Sequence, residues 1–528
     1  MGPSSGLVRR HRVARSPSLA RVWVPSWPSG AGARDLAGRD LWVDRRHRIT
    51  LGRVRVSQLR SSLGLFPLIA LGAAGVIGSS WIYTASEFFT LYGAGGVVIG
   101  LAVATVFVAF IALAYAELAS LFPRAGGEVV FAYVAFNRGV AFTAGWLLIG
   151  AYVSSLAFYV TSVGFLLSRV FPELSVIPLY TINEGTVYLP VLVVGVLVTL
   201  AVFAANWRGI TFGAWTQLVF LIAMVVLGLV IAVVGFLHGS AENFWPPYAG
   251  DTGESVGQTA RFVLPAMTFL TGFALVTTLA EDAKVTPRRL GRAVLMTVGI
   301  AGGFYCLVLL ATAWVIPWQE TAALEEGTIN AFRAAGYPTL GWSAFAIAVI
   351  GLVTSFLALF VATSRIVLAM ARARLLPSGL AALHPRHRTP TRALTFTLVV
   401  VLCLGWMGTE ALVWFLDTGG VYVGLAWFIG VLCLYRIRST HRHLSAPFRA
   451  WPSAAPAVGA VFAVGVIVFA LWPNTDLSLI WPWEYVILIA WATVGVLLYL
   501  WSRGKDDGQA MRTLLGEHYD STVGSNRT

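Results

Sequence analysis

The chain has 528 residues, 57% of them hydrophobic and only 12% charged, with a formal net charge of +13 and a mean hydropathy of +0.77. Soluble globular chains carry about 25% charged residues, so these numbers argue against a soluble enzyme, a disordered chain or a fibre and point to a polytopic membrane protein. The positive charge is almost all arginine, Lys284 and Lys505 being the only lysines, and it collects between apolar runs. That distribution fits cytoplasmic loops better than a nucleic-acid-binding face.

In chain order, residues 1–62 come first, with thirteen arginines between Arg9 and Arg60 opposed only by Asp35, Asp40 and Asp44. They lack the apolar core of a secretory signal and read as a disordered basic cytoplasmic tail that can touch anionic lipid. A mis-assigned start is an alternative for the first 55 or so, because no methionine occurs between Met1 and Met224.

Residues 63–501 then read as about twelve helical spans, each near the ~20 residues that cross a bilayer core. They fall near 63–89, 95–118, 140–171, 187–205, 210–238, 258–279, 290–318, 341–371, 393–408, 411–435, 454–472 and 481–501. The ninth and tenth, around Gly408, can also be read as one bent helix. With the basic tail inside, alternate loops hold Arg124 and Arg138, Arg208, Lys284 to Arg292, Arg372 to Arg392, and Arg436 to Arg449. The other loops hold acids such as Glu173, Glu184, Glu242, Glu320, Glu326 and Glu484. This separation predicts an even number of spans, both termini in the cytoplasm, and 502–528 as a cytoplasmic tail.

Two spans are interrupted. The first carries Gly72-Ala-Ala-Gly-Val-Ile-Gly-Ser-Ser80, and the sixth carries Thr268-Phe-Leu-Thr-Gly-Phe273 after Pro265. Small residues of this kind also serve close helix packing. The first and sixth spans, however, run in opposite directions, and paired broken helices in two inverted halves are the best sequence pointer to a transporter's midplane site. Half-helix N-termini there offer N–H groups to a carboxylate and free carbonyls receive an ammonium or a cation, so a zwitterion suits both.

Other chemistries find little support. Cys306, Cys403 and Cys433 lie in apolar runs and form neither a disulfide framework nor a thiolate zinc cluster. The pairs His384/His387 and His441/His443 lack further ligands, so no metal is expected. No Gly-x-x-x-x-Gly-Lys loop supports ATP-driven pumping. An intramembrane enzyme would need convergent catalytic groups that the spans lack, so neither an enzyme nor a cofactor is indicated.

Among the remaining polar residues, Asp417 is the most interior acid, with a proton or gating role set against a satisfied acid at a helix break. Glu87 and Glu117 sit near span ends, where hydration is expected. Arg365 either snorkels or pairs with an acid such as Glu117. Glu281, Asp282, Lys284, Arg288 and Arg289 read first as a solvated loop, with intracellular gating as the alternative.

The stretch Tyr115-Ala-Glu-Leu-Ala-Ser-Leu-Phe-Pro-Arg-Ala-Gly-Gly-Glu-Val-Val-Phe-Ala-Tyr133 closely resembles the signature around spans two and three of the amino acid–polyamine–organocation (APC) permeases. Gly75-Val-Ile-Gly78 is similar to that family's first-span motif. Phe269-Leu-Thr-Gly-Phe273 with Ala280-Glu-Asp-Ala-Lys-Val-Thr-Pro-Arg-Arg289 is similar to its sixth span and following loop. Ser364-Arg365 through His384-Pro385, and Pro447-Phe-Arg449, look like its later signatures.

The resemblance spans roughly residues 63–500. It implies an all-α, 5+5 inverted-repeat (LeuT-like) core, with repeats at about 63–238 and 258–435 and extra helices at about 454–501. It also implies secondary transport of amino acids across the plasma membrane. Carried over by position, Gly75, Ile77, Gly78 and Ser79 would meet the substrate carboxylate. Phe269, Thr271 and Gly272 would meet the amino group, and Phe273 and Ala274 would line the side-chain pocket. Tyr133 would be an inner gate or an interfacial tyrosine.

Two departures from the family pattern matter. Ala274 replaces an acid that many relatives carry, which argues against a dedicated dibasic or polyamine carrier. Many relatives also have a span-five lysine that stands in for sodium; that position falls near Met224. Sodium held by first-span carbonyls with Thr363 or Ser364, coupling to H+ by another route, and exchange without an ion remain open. The expectation is therefore a carrier of neutral amino acids or derivatives, with an amine or polyamine carrier or an amino acid exchanger as alternatives and no nucleic-acid partner.

Overall fold

The computed structural model describes residues 42–43, 49–50 and 62–522, apart from 79, 183–184, 249–251, 409–410, 474–477, 503–506 and 520–521. In the amino-terminal unit, Trp42–Val43 and Ile49–Thr50 form a minimal antiparallel pair. Apart from Ser62, the rest of the expected disordered tail lies outside the described residues.

In hydrocarbon every backbone N–H and C=O has to be satisfied within its own segment, so the apolar runs become helices. Among the described residues nine helices are long and apolar enough to cross a membrane, and three shorter apolar helices accompany them. The chain is a polytopic membrane protein.

The helices are α1 (Leu65–Val76), α2 (Ser80–Tyr83), α3 (Ala85–Leu121), α4 (Glu128–Ala135), α5 (Arg138–Ser168), α6 (Leu189–Arg208) and α7 (Ile210–His238). There follow α8 (Thr252–Phe269), α9 (Phe273–Thr278), α10 (Pro287–Val315), α11 (Trp318–Ala323), α12 (Gly327–Ala334) and α13 (Pro338–Arg372). The last are α14 (Thr391–Leu404), α15 (Ala411–Thr440), α16 (Ala455–Leu471), α17 (Trp483–Trp501) and α18 (Asp507–Leu515).

Both expected interruptions are present as gaps in helix: Ile77 has left helical geometry at φ −74°, ψ 78°, and residues 270–272 separate α8 from α9. Gly93, at φ 67° and ψ 161°, breaks α3 and divides the first predicted span from the second. A side chain other than glycine is strained at that φ. Gly408, at φ 79°, lies between α14 and α15, so the alternative of one bent helix there gives way to two. The loops also hold more structure than the sequence suggested. Pro178–Ile182 pairs with Gly185–Tyr188 as an antiparallel hairpin, and α11 and α12 fill the connection between α10 and α13.

Packing sorts the helices into inner and peripheral sets. α1 is surrounded by α7, α9, α10 and α13, while α3 lies along α8 and α10, and α5 along α13 and α15. α6, α7, α16 and α17 turn large side chains outward, Leu197, Val219, Val461 and Leu497 among them. Such a surface would aggregate in water, whereas lipid is its natural neighbour.

At the end of the bundle bearing the arginine-rich loops, the chain entering α1 pairs with the loop after α9. The N–H groups of Ser62 and Leu63 donate to Asp282 O (2.9 and 3.0 Å) and Lys284 N–H donates to Leu63 O (2.7 Å). Helix α18 is docked: Ala510, Leu514 and Leu515 are buried, and Arg124 Nε donates to Leu514 O at 3.1 Å.

Candidate functional site

The two interruptions meet backbone to backbone. A Cβ built on Gly272 would stand 2.4 Å from both the Gly75 carbonyl carbon and Val76 N, so only glycine permits this approach. At the end of α1 the freed peptide groups find specific partners. Ile77 N–H donates to Ala73 O at 2.6 Å. Gly78 N–H donates to Val76 O (2.7 Å) and to the Tyr305 hydroxyl (3.2 Å), and that hydroxyl donates to Val76 O. Ser355 Oγ, on α13, donates to Ala74 O at 2.6 Å and lies 3.3 Å from Ile77 O. Trp81 Nε1 closes the turn on Gly78 O at 2.7 Å.

The α8–α9 break is held by its own hydroxyls. Thr271 Oγ1 donates to Thr268 O at 2.7 Å, while Thr268 Oγ1 reaches across to Leu416 O on α15 at 3.1 Å. Phe269 lies 6.2 Å from Tyr305 and 5.8 Å from Phe88 between ring centroids. Phe273 is fully buried against Trp427 (5.1 Å) and Tyr115 (5.4 Å), and Ala274 is buried beside it.

Gly75, Ile77, Gly78, Phe269, Thr271 and Gly272 therefore gather around one junction. Ser79 lies outside the described residues. Three contributors escaped the sequence: Tyr305, Ser355 and Tyr159, whose hydroxyl is 3.2 Å from the position a Gly78 Cβ would take. Each is one hydroxyl in an otherwise apolar helix that carries others, such as Thr354 beside Ser355 and Thr161 near Tyr159, so its sequence neighbours do not single it out.

The hydroxyls of α13 fall into two groups. Thr363 and Ser364 bond within their own helix, to Leu359 O and Val361 O; Ser355, more than two turns earlier, faces the α1 carbonyls. Met224 is buried, and from the same helix Gln217 Nε2 donates to Thr354 O at 2.7 Å.

The two ends of the bundle differ. At the acidic end a cavity of about 660 Å³ opens beyond α2, lined by Tyr83, Thr84, Glu87, Thr161, Arg169 and Glu326 among others. The arginine-rich end is tied together by buried ion pairs. Arg365 forks onto Asp282 at 3.1 and 3.3 Å with both side chains buried, and Arg372 onto Glu281 at 2.8 and 3.2 Å. Burial pushes the Asp282 carboxyl above its ordinary range while the Arg365 guanidinium pulls it back.

The reading of Glu281 and Asp282 as a solvated loop is thus overturned, whereas Lys284, Arg288 and Arg289 are exposed as that reading expected. Glu117 is buried rather than hydrated. Its partner is Arg438, which contacts it at 2.9 and 2.5 Å, and not Arg365. Tyr133 is buried on α4. Asp417 is half-buried on α15, within electrostatic reach of Glu484 on α17.

The profile of the family described as amino acid permease matches residues 63–494. An uncharacterized transporter of Mycobacterium tuberculosis is 30% identical over 466 residues, covering 86% of this chain and 96% of that protein. The branched-chain amino acid permease BcaP of Bacillus subtilis is 28% identical over 371 residues, covering 66% and 75%. The glutamate/serine transporter AimA of the same organism is 26% identical over 478 residues, covering 85% and 83%.

Proposed function

The chain belongs to the amino acid permease family of the APC superfamily, and we propose that it carries neutral amino acids or small derivatives across the plasma membrane by alternating access. The observation that carries this reading is the contact of the two broken helices at Gly272 and Gly75–Val76. It brings peptide groups from two interrupted segments to one point, where a carboxylate and an ammonium can each find a partner.

In this reading residues 63–238 and 258–435 are inverted five-helix repeats, with 454–501 as two extra helices. Nine long and three shorter apolar helices agree with twelve spans. The arginine-rich end faces the cytoplasm and both termini lie there. Gly75, Ile77, Gly78 and Ser79 hold the carboxylate, Phe269, Thr271 and Gly272 the amino group, and Phe273 and Ala274 bound the side chain. A cavity at the acidic end and buried ion pairs at the other correspond to a carrier open outward and closed inward. Relatives named for branched-chain amino acids and for glutamate and serine support amino acids as the substrate class. The apolar Ala274 favours neutral ones, because a buried cation needs a counter-charge.

Uptake of radiolabelled leucine into proteoliposomes, under imposed sodium and proton gradients and with putrescine as competitor, tests this. Leucine accumulation that putrescine does not displace is the expected result. Putrescine uptake without leucine uptake would instead assign an amine carrier.

A further inference from the structure

Glu128 is the first residue of α4, in the connection between the membrane-length helices α3 and α5. It is 1% exposed, and neither carboxyl oxygen makes a hydrogen bond of normal geometry. A carboxylate so placed would forfeit its hydration with nothing in exchange.

The groups facing it are weak acids: Tyr115 on α3, Tyr152 on α5 and Cys433 on α15; the Thr278 hydroxyl on α9 lies beside Tyr152 and donates to Ala274 O. The nearby cations are engaged elsewhere. On α13, Arg365 holds Asp282 and Arg372 holds Glu281. Arg124 is bonded to Leu514 O, and Arg138 to the carbonyls of Arg374 and Ser502. On α18, Arg512 lies over the Tyr519 ring. Burial accordingly pushes the Glu128 carboxyl up to about 8, against the opposing pull of its own backbone N–H and the Tyr115 phenol.

The lid over this pocket is the tip of the broken sixth span. Gly126 N–H donates to Thr278 O at 3.3 Å, and a Cβ on Gly127 would fall 2.7 Å from Thr277 Oγ1. Thr277 and Thr278 are the last residues of α9. Any motion that opens the arginine-rich end by carrying α9 away must break this seam and admit water to Glu128.

We propose that Glu128 is a proton-binding site: its carboxyl carries a proton while α9 lies on the Gly126–Gly127 turn and releases it to the cytoplasmic water when α9 moves away. This rests on the alternating-access reading above. The neutral acid becomes a carboxylate and a hydrated proton, and resealing takes one proton back from the same side. A hydrated glutamate returns to its ordinary value of about 4.3. The closed form therefore binds more protons between that value and the closed-state one. Acid favours closure, and the closed-to-open ratio falls by up to about tenfold per pH unit across that window. The proton is exchanged with the cytoplasm alone, so it gates the cycle without driving it.

Hydrogen exchange of the full chain in lipid nanodiscs, measured at pH 6 and pH 9 and corrected for intrinsic rates, tests the site without needing a substrate. Exchange of residues 126–135 and 273–278 should rise at least tenfold at the higher pH, with loss of a protonated-carboxyl infrared band. E128Q, neutral throughout, should stay at the protected level and lack that band. A flat wild type, or E128Q with the wild-type response, overturns the proposal. Should E128Q fail to fold, the wild type titrated in steps from pH 6 to pH 9 must lose the protonated-carboxyl band in parallel with the protection of residues 126–135; a band that persists to pH 9, or protection lost independently of it, is equally fatal. Leucine counterflow at pH 6 is read separately. Its absence with the pH response intact rejects the carrier reading and leaves the proton site standing.

Discussion

Gly272→Ala is the sharpest probe of the junction. Gly272 sits at φ −67° and ψ −11°, a conformation alanine adopts freely, so the added methyl acts by collision alone. Its Cβ would lie 2.4 Å from Gly75 C and Val76 N and 2.7 Å from Gly75 O, all backbone atoms that no rotamer change can clear. Reaching even 3.0 Å needs the two broken segments to part by about 0.6 Å. Overpacking of this kind costs about 1–3 kcal/mol. Charged against the conformer in which the breaks touch, that is about 5- to 150-fold in its population. Initial-rate uptake in proteoliposomes should fall within that range, with the protein still monodisperse. Gly299→Ala, on an exposed face of α10 with no heavy atom within 4 Å of its Cβ, is the control and should transport normally. Wild-type uptake by Gly272→Ala would refute the claim that the breaks must meet.

Gly78→Leu should abolish uptake while leaving membrane insertion intact, because its side chain would grow toward the Tyr159 hydroxyl, 3.2 Å from the Cβ position; surface expression beside uptake checks this. Tyr305→Phe removes the hydroxyl that joins Gly78 N–H to Val76 O. It should lower stability by about 1 kcal/mol and uptake by about tenfold or more, an effect on the order of 1.4 kcal/mol, read from thermal midpoint and initial rate. Asp282→Asn strands the buried Arg365 guanidinium and should cost about 3–5 kcal/mol. Adding Arg365→Met should recover most of that thermal stability, and a double-mutant cycle showing additive losses would disprove the pairing.

The amino-acid sequence by itself determined the class of molecule, the approximate position of nearly every apolar helix, and the two helix breaks. Those properties are local: hydrocarbon demands self-satisfied backbone, and glycine or proline in an apolar run weakens the helix wherever it occurs. The breaks at Gly75–Gly78 and Thr271–Gly272 were therefore legible before any packing was known. Tertiary structure alone decided which polar side chains serve them. Tyr305 and Ser355 come from helices far along the chain, and nothing local to either distinguishes it from a hydroxyl bonded to its own helix, as Thr363 and Ser364 are.

Charge partners were hidden for the same reason. Arg365 had several acids within plausible reach, and only the fold of the loop after α9 selected Asp282 over Glu117. Glu128 shows the limit most plainly. In sequence it is one polar residue of a loop motif, and its burial among the described residues, with the neighbouring arginines bonded elsewhere, is a property of the helices that pack around it.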